Sequence, residues 1–343
     1  MSYVNIAKPK FFVDHINNRL ATGTSQNNNA DVISGTDLIT STANGTTEAD
    51  LFDLKPSNQV EFVTKTNATT RTDHVLINYD TGGGFNTDFI AILNHNMSDS
   101  QARLRIGHSD TESHINTVDY ATGFVEPVCT AVLNGAVSND NVITPSANGS
   151  TLFTLASTAH RYIGIQFEGN NSGSFDTTNN LTVGAILIGE HYTPPAGPRV
   201  QLTRKIIFDG VNIQESIGGQ RYATATHLGR YFTSSSNKSP FLTANQSYYV
   251  YGGRLSYDLE FTHLASSDVM PSDYSVETTA SDSVVADVWN RTKGPMLPFI
   301  FSSDSTSTSA SDFIYARFKQ NSLVQKQIAS NVFDIRMTIE EEF

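Results

Sequence analysis

Asp88-Phe89-Ile90-Ala91-Ile92-Leu93 is the run that decides the fold. It is apolar after its first residue, follows Gly82-Gly83-Gly84 and precedes Asn94-His95-Asn96, so it reads as a buried β-strand entered from a glycine turn. Next comes Arg103-Leu104-Arg105-Ile106-Gly107, where polar and apolar residues alternate with period two, as in a half-buried strand. Upstream, Val60-Glu61-Phe62-Val63 and Val75-Leu76-Ile77 repeat the signal. Downstream, so do Leu152-Phe153-Thr154-Leu155, Tyr162-Ile163-Gly164-Ile165-Gln166-Phe167 and residues 181–188. Short strands separated by Gly, Asn, Asp and Ser predict a β-sandwich. The polar tract Thr22 to Asn29 reads as an exposed loop.

Thr193-Pro194-Pro195-Ala196-Gly197-Pro198 can continue neither strand nor helix. We therefore divide the 343 residues into a sandwich domain with an N-terminal extension (1–193), a linker (194–198) and a second β-rich domain (199–343). In the latter, Val200 to Thr203 and Ile206 to Phe208 precede a turn at Asp209-Gly210. Leu255, Tyr257, Leu259 and Phe261 alternate strictly, as do Phe333, Ile335, Met337 and Ile339 at the C-terminus. One helix is predicted: Ser283 can cap it, and Val284, Val285, Val288 and Trp289 share a face before Gly294-Pro295. The expected fold class is mainly β with one short helix.

Composition narrows the function. Hydrophobic residues make up 38% and charged residues only 16%, the difference lying in Asn, Ser, Thr and Gly, which compete for backbone hydrogen bonds inside helices. Twenty Phe and 13 Tyr supply aromatic mass for sandwich cores. A net charge of −12 without any Lys/Arg cluster argues against nucleic acid and anionic membranes as partners. Met1 to Lys10 lacks an apolar h-region and the longest apolar runs are too short for a bilayer, so neither signal peptide nor membrane insertion is expected. The single Cys129, beside Val128, Ala131 and Val132, reads as a buried structural thiol.

No motif for chemistry stands out. His74 with Asp73, His95 with Asp88, and His108 with Asp110 and His114 are the nearest candidates for metal ligands, but none has a metal-site spacing. There is no Gly-x-Ser-x-Gly elbow, and Gly82–Gly84 and Gly218-Gly219-Gln220-Arg221 read as turns rather than phosphate cradles. No catalytic residue, metal or cofactor is assigned, and the chain is not expected to be an enzyme. Tyr79, Asn94, His95 and Asn96, near a strand end, are the candidate carbohydrate contacts, with loop-backbone bonding as their structural alternative.

Two stretches carry a family resemblance. Thr87 to Met97 resembles the Asp-x-apolar-Ala-apolar-x-x-His-Asn-Leu/Met segment of galactose-binding-like jelly-roll domains in phage tail proteins, over about residues 50–192. Gly218 to Tyr222, Trp289 to Phe301 and Phe313 to Phe318 look like the ring-forming β domain of phage distal-tail and minor-tail proteins, over about 199–343. The resemblance implies a structural virion protein of the tail tip or baseplate, made in a bacterial cytoplasm. Its partners would be itself, in a ring most simply sixfold, and the tail tube, hub and fibres. A module recognising host glycans is the alternative.

Overall fold

The structure is a computed structural model that describes residues 8–15, 30–35, 37–43, 45–65, 74–170, 174–198, 202–208, 211–225, 254–269 and 284–342. The tract at Thr22 to Asn29, the turn at Asp209-Gly210, Ser283 and Asp73 lie outside the described residues. The chain is mainly β. Up to the proline-rich stretch the strands are β1 (Lys10–Asp14), β2 (Ala30–Val32), β3 (Thr42–Ala43), β4 (Val60–Phe62), β5 (Val75–His95), β6 (Ala102–Ser109), β7 (Cys129–Leu133), β8 (Ala136–Val137), β9 (Ile143–Thr144), β10 (Gly149–Gly169), β11 (Leu181–Val183) and β12 (Ala185–Tyr192). Beyond it come β13 (Thr203–Ile207), β14 (Val211–Glu215), β15 (Arg221–Ala225), β16 (Arg254–Ala265), β17 (Phe299–Ser302), β18 (Phe313–Phe318), β19 (Gln325–Ala329) and β20 (Val332–Glu341). Helices α1 (Ser266–Val269) and α2 (Val284–Arg291) lie between β16 and β17. None among the described residues is long and apolar enough to cross a membrane.

Most strands join one 15-stranded sheet in the order β13-β16-β20-β18-β17-β1-β12-β5-β10-β6-β9-β8, with β19 on β20, β2 on β5 and β7 on β10. The separate β11-β4-β3 sheet adds Val60, Phe62, Leu181 and Val183 to the core that it shares with β5, β6 and β10. Two expectations are corrected here. The glycine run does not end a strand: β5 continues through it, and Thr81–Gly84 bulge opposite the single residue Arg161. Gly82 takes φ = 70°, a conformation open to glycine, and its N–H donates to Asp80. Arg161 closes the bulge with two 2.8 Å hydrogen bonds to the Asp80 carboxylate. The runs at Leu152 and Tyr162 are likewise one strand, β10, with a bulge between Thr154 and Thr158.

Thr193–Pro198 carries no strand or helix, yet the halves on either side meet elsewhere. β1 pairs antiparallel with β12 on one side and with β17 on the other. Its side chains alternate between two cores. Phe11 and Val13 pack into the cluster of Tyr257, Phe261, Phe299, Phe301 and Ile339. Phe12, fully buried, turns to the opposite face, where it meets Phe89 at 5.3 Å and Phe313 at 6.4 Å. A third core, farther into the early half, holds Ile77, Ile92, Leu104, Phe153 and Ile165.

The predicted helix is α2. Val288 is buried and Trp289 packs on Phe318 at 5.0 Å. Lys293 and Gly294 then take left-handed φ values of 54° and 64°, which stop the helix, and the Gly294 N–H bonds back to the Trp289 carbonyl. The C-terminal alternation is equally direct: Ile335, Met337 and Ile339 are buried while Arg336 faces solvent.

Candidate functional site

A polar cleft of about 850 Å³ opens on the outer face of the sheet over β6 and β10. Strand alternation builds its floor. Leu104 and Ile106 point into the core, so Arg103 and Arg105 point out. On β10, Glu168 stands opposite Arg103 and Gln166 opposite Arg105. His74 enters from the residue before β5. One wall is the segment between β6 and β7, which carries Asp119 and Glu126. The other is the Ser138–Asn141 turn between β8 and β9. There the Ser138 hydroxyl accepts the N–H groups of Asp140 and Val142.

These side chains form one connected row. Arg105 reaches Glu126 at 3.4 Å and Asp119 at 3.1 Å. The Gln166 amide donates to both Asp119 and Glu168 at 3.3 Å, and its carbonyl accepts the Asp119 N–H at 2.9 Å. Glu168 closes the row on Arg103 at 2.6 Å and lies 3.6 Å from His74. Burial pushes the Glu168 carboxyl up, but the His74 hydrogen bond and the Arg103 charge outweigh it and hold it below the usual range. Burial likewise works against the Arg105 charge, and Glu126, Glu168 and Asp119 overcome it.

The Asp119 wall is held under strain. Asp119 and Tyr120 are consecutive non-glycine residues at φ = 60° and 56°, each costing about 1–3 kcal/mol. What holds them is a slot in the sheet. Gly107 and Gly164 face each other across β6 and β10, and the Tyr120 ring lies over both. A Cβ at either glycine would come within 2.8 Å of that ring. The Tyr120 hydroxyl donates to the Gly164 carbonyl at 2.9 Å, and Ile115 and Leu76 complete the packing.

His74, Asp119 and Glu168 place one ligand atom each within 4.8 Å of one another. As oxygen and nitrogen donors they suit a divalent cation in kind. Both carboxylates, however, already meet a guanidinium, and a bound cation would sit beside Arg103 and Arg105. The trio fits a charge-paired surface better than a metal cage.

The four residues proposed from sequence as carbohydrate or loop contacts lie outside this cleft. Tyr79 is buried in mid-strand, its ring stacked on Phe52. Asn94, at φ = 52°, is buried: its amide donates to the Pro56 carbonyl at 2.7 Å, and its carbonyl accepts Gln59 at 2.6 Å. His95 is buried between Thr151 and the Met97 N–H, and burial lowers its pKa to about 3. The Asn96 side chain bonds the backbone of Asn180 and Thr182. Asn94, His95 and Asn96 thus bond nearby backbone and side chains, as their structural alternative has it, and Tyr79 is buried. The paired histidines also separate. Asp88 bonds His191 rather than His95, His160 takes Asp110, and His114 meets Ser109. Cys129 is buried, which pushes its thiol up to about 12. Among the described residues, His74 is the one sequence candidate that reaches the cleft. Arg103 and Arg105 were visible as the polar half of an alternating strand, whereas Asp119, Glu126 and Glu168 carry no local signal.

No family model matches the chain, and no curated protein matches it. Among solved structures, it is similar to chitosan-binding module 1 of a chitosanase/glucanase from Paenibacillus sp. IK-5, at 14% identity and a TM-score of 0.29, over 47% of this chain and 90% of that one. It is also similar to a CBM32 module of a family 31 glycoside hydrolase from Clostridium perfringens, at 12% identity and a TM-score of 0.30, over 48% and 95%. A truncated AlyQ with CBM32 and alginate lyase domains is similar at 12% identity and a TM-score of 0.27, over 69% of this chain and 49% of that one.

Proposed function

We propose that this chain is a binding protein whose cleft over β6 and β10 takes a carbohydrate. The observation that carries this is the set Glu126, Arg105, Asp119, Glu168 and Arg103, donors and acceptors side by side along an open cleft of about 850 Å³ and fixed from beneath by the buried Gln166 amide. A sugar hydroxyl donates one hydrogen bond and accepts others, so it needs both kinds of partner side by side. Arginine–carboxylate pairs supply them in charge-assisted form. The volume lies within the range of about 300–1,000 Å³ usual for ligand sites. A glycan array probed with the purified chain tests the proposal. Signal on a defined glycan, weakened at least about tenfold by Arg105→Ala, is expected from the loss of charged hydrogen bonds. No signal at any protein concentration overturns it.

Assembly into the tail tip of a tailed phage is the second reading. It is favoured by β13, which forms a border of the large sheet among the described residues, and by the β14–β15 ribbon, which belongs to no larger sheet. The glycan cleft would then be carried on the particle. Locating the chain in a map of intact particles tests this, and its absence from purified particles contradicts it.

A further inference from the structure

Among the described residues, His74 is the one histidine that lines the cleft, and its place is fixed. Its N–H donates to the Asp37 carbonyl at 2.8 Å, and its own carbonyl accepts the Ile39 N–H at 2.8 Å. Leu38 lies beside it in a parallel bridge. These bonds hold His74 at the mouth of β5, where its side chain is 12% exposed and its Nε2 lies 3.6 Å from Glu168. One ring nitrogen is within 4.8 Å of a carboxylate oxygen of both Glu168 and Asp119. The charged groups around the ring come from three sides: Glu168 on β10 with Arg103 and Arg105 on β6, Asp119 and Glu126 on the segment between β6 and β7, and Asp140 on the turn between β8 and β9. Asp37, on the segment that holds the His74 backbone, is exposed. With His74 neutral, the lining carries four carboxylates against two guanidiniums, a charge of −2, and a proton on His74 halves it.

We propose that a proton on His74 gates the cleft against glycans that carry a fixed positive charge: they bind while the imidazole is neutral and are released as it becomes charged. An imidazole changes charge between about pH 5 and 8, where carboxylates and guanidiniums do not. Glu168 keeps its charge across that range, since the His74 hydrogen bond and Arg103 outweigh its burial. A cation on the ligand and a proton on His74 therefore draw on the same carboxylates and repel each other. Two unit charges about 8 Å apart, in a medium between protein and water, weaken one another's binding by about fivefold. The coupling is reciprocal, so the bound cation opposes the proton by the same factor. A neutral glycan has no charge for the proton to repel. The inference rests on the carbohydrate reading of the cleft.

Calorimetric titration of the full chain at pH 8 and pH 5.5 tests it. The probes are oligomers of trimethylated glucosamine, whose charge is fixed, and oligomers of N-acetylglucosamine, which are neutral. The cationic oligomer is expected to bind about fivefold more weakly at pH 5.5, the neutral one to lose less than about twofold, and the difference to vanish in His74→Gln. A second readout needs no variant: the imidazole NMR signals of His74 in the wild type should reach their titration midpoint about 0.7 pH unit lower with the cationic oligomer bound. Equal affinity of the cationic oligomer at both pH values, an equal loss in His74→Gln, or an unmoved His74 midpoint overturns the gate and leaves the cleft reading standing. So does a failure to bind the cationic oligomer at either pH in a chain that binds another glycan. A chain that binds no glycan at all overturns both.

Discussion

Replacing Arg291 by Met tests the buried ionic cluster at the seam between the two halves. Arg291 comes from the end of α2 and is 4% exposed. Its Nη1 donates to Glu190 on β12 at 2.6 Å and to His15, just past β1, at 2.7 Å. A guanidinium has no acceptor, so the His15 Nε2 accepts. The Arg291 charge also lies 5.3 Å from the Tyr192 ring centre, and the Tyr192 hydroxyl donates to Glu190 at 2.8 Å. At an effective dielectric constant near 20, charges 2.6 Å apart attract by about 6 kcal/mol. Much of that offsets the desolvation of both groups. Removing Arg291 alone leaves the Glu190 carboxylate buried without its charge partner, which costs about 3–5 kcal/mol. Burial already raises the Glu190 pKa against the pull of Arg291 and Tyr192, so Arg291→Met raises it further. A folded-state pKa above the unfolded value gives stability that is present at low pH and lost as pH rises. The deficit against wild type therefore shrinks as pH falls from 7 toward the ordinary carboxylate range. Urea denaturation of wild type, Arg291→Met, Glu190→Gln and the double variant at pH 7 and pH 5 measures this. The double variant is expected to be more stable than the two single losses sum to, by about 1–3 kcal/mol. An Arg291→Met cost below about 1 kcal/mol, or the same cost with and without Glu190→Gln, refutes the reasoning.

Three further predictions concern the acid limb and the cleft. Burial lowers His95 and His108 to about 3, so unfolded chains take up protons at about pH 6.5 before folded ones do. The resulting stability is present above that pH and lost below it, by about 1.4 kcal/mol per pH unit for each histidine, and denaturation of His95→Asn from pH 7 to 5 should show one share of that slope removed. Gly164→Ala places a Cβ 2.8 Å from the Tyr120 ring, so calorimetry should find a loss of about 1–3 kcal/mol in stability together with weaker glycan binding as Asp119 shifts; unchanged affinity contradicts the positioning role. The cleft's Asp119, Glu126, Asp140 and Glu168 outnumber Arg103 and Arg105, so competition assays should rank glycans bearing ammonium groups above uronate glycans of the same linkage, and the reverse order contradicts the charge balance.

Much of the fold follows from local patterns. Alternation in Leu255–Phe261 and Phe333–Ile339, the continuous run at Phe89–Leu93 and the Val288/Trp289 helix all reflect one residue's preference for one side of an interface. The continuity of β5 and β10 was not legible, because a bulge is defined by its partner strand, and Arg161 lies 80 residues from Thr81. β1 was missed for a related reason: Phe11-Phe12-Val13 is too short to announce a strand, and only neighbours far away in sequence make it the seam of the sheet. Asn94 to Asn96 left two readings open in the sequence because amides at a strand end serve loop backbone as readily as ligand, and here they bond loop backbone. In the cleft the two outward arginines were legible in Arg103-Leu104-Arg105. Asp119 was not, since its position depends on two glycines in different strands making room for Tyr120.

The most direct test of the carbohydrate site is an amide NMR titration of the full chain with the strongest glycan from the array. Binding in the cleft predicts saturable shifts at residues 103–105, 119–126, 138–144 and 166–168, and little change at Tyr79 or Asn94 to Asn96. Shifts centred on those last residues, or none in the cleft at saturation, would contradict the proposal.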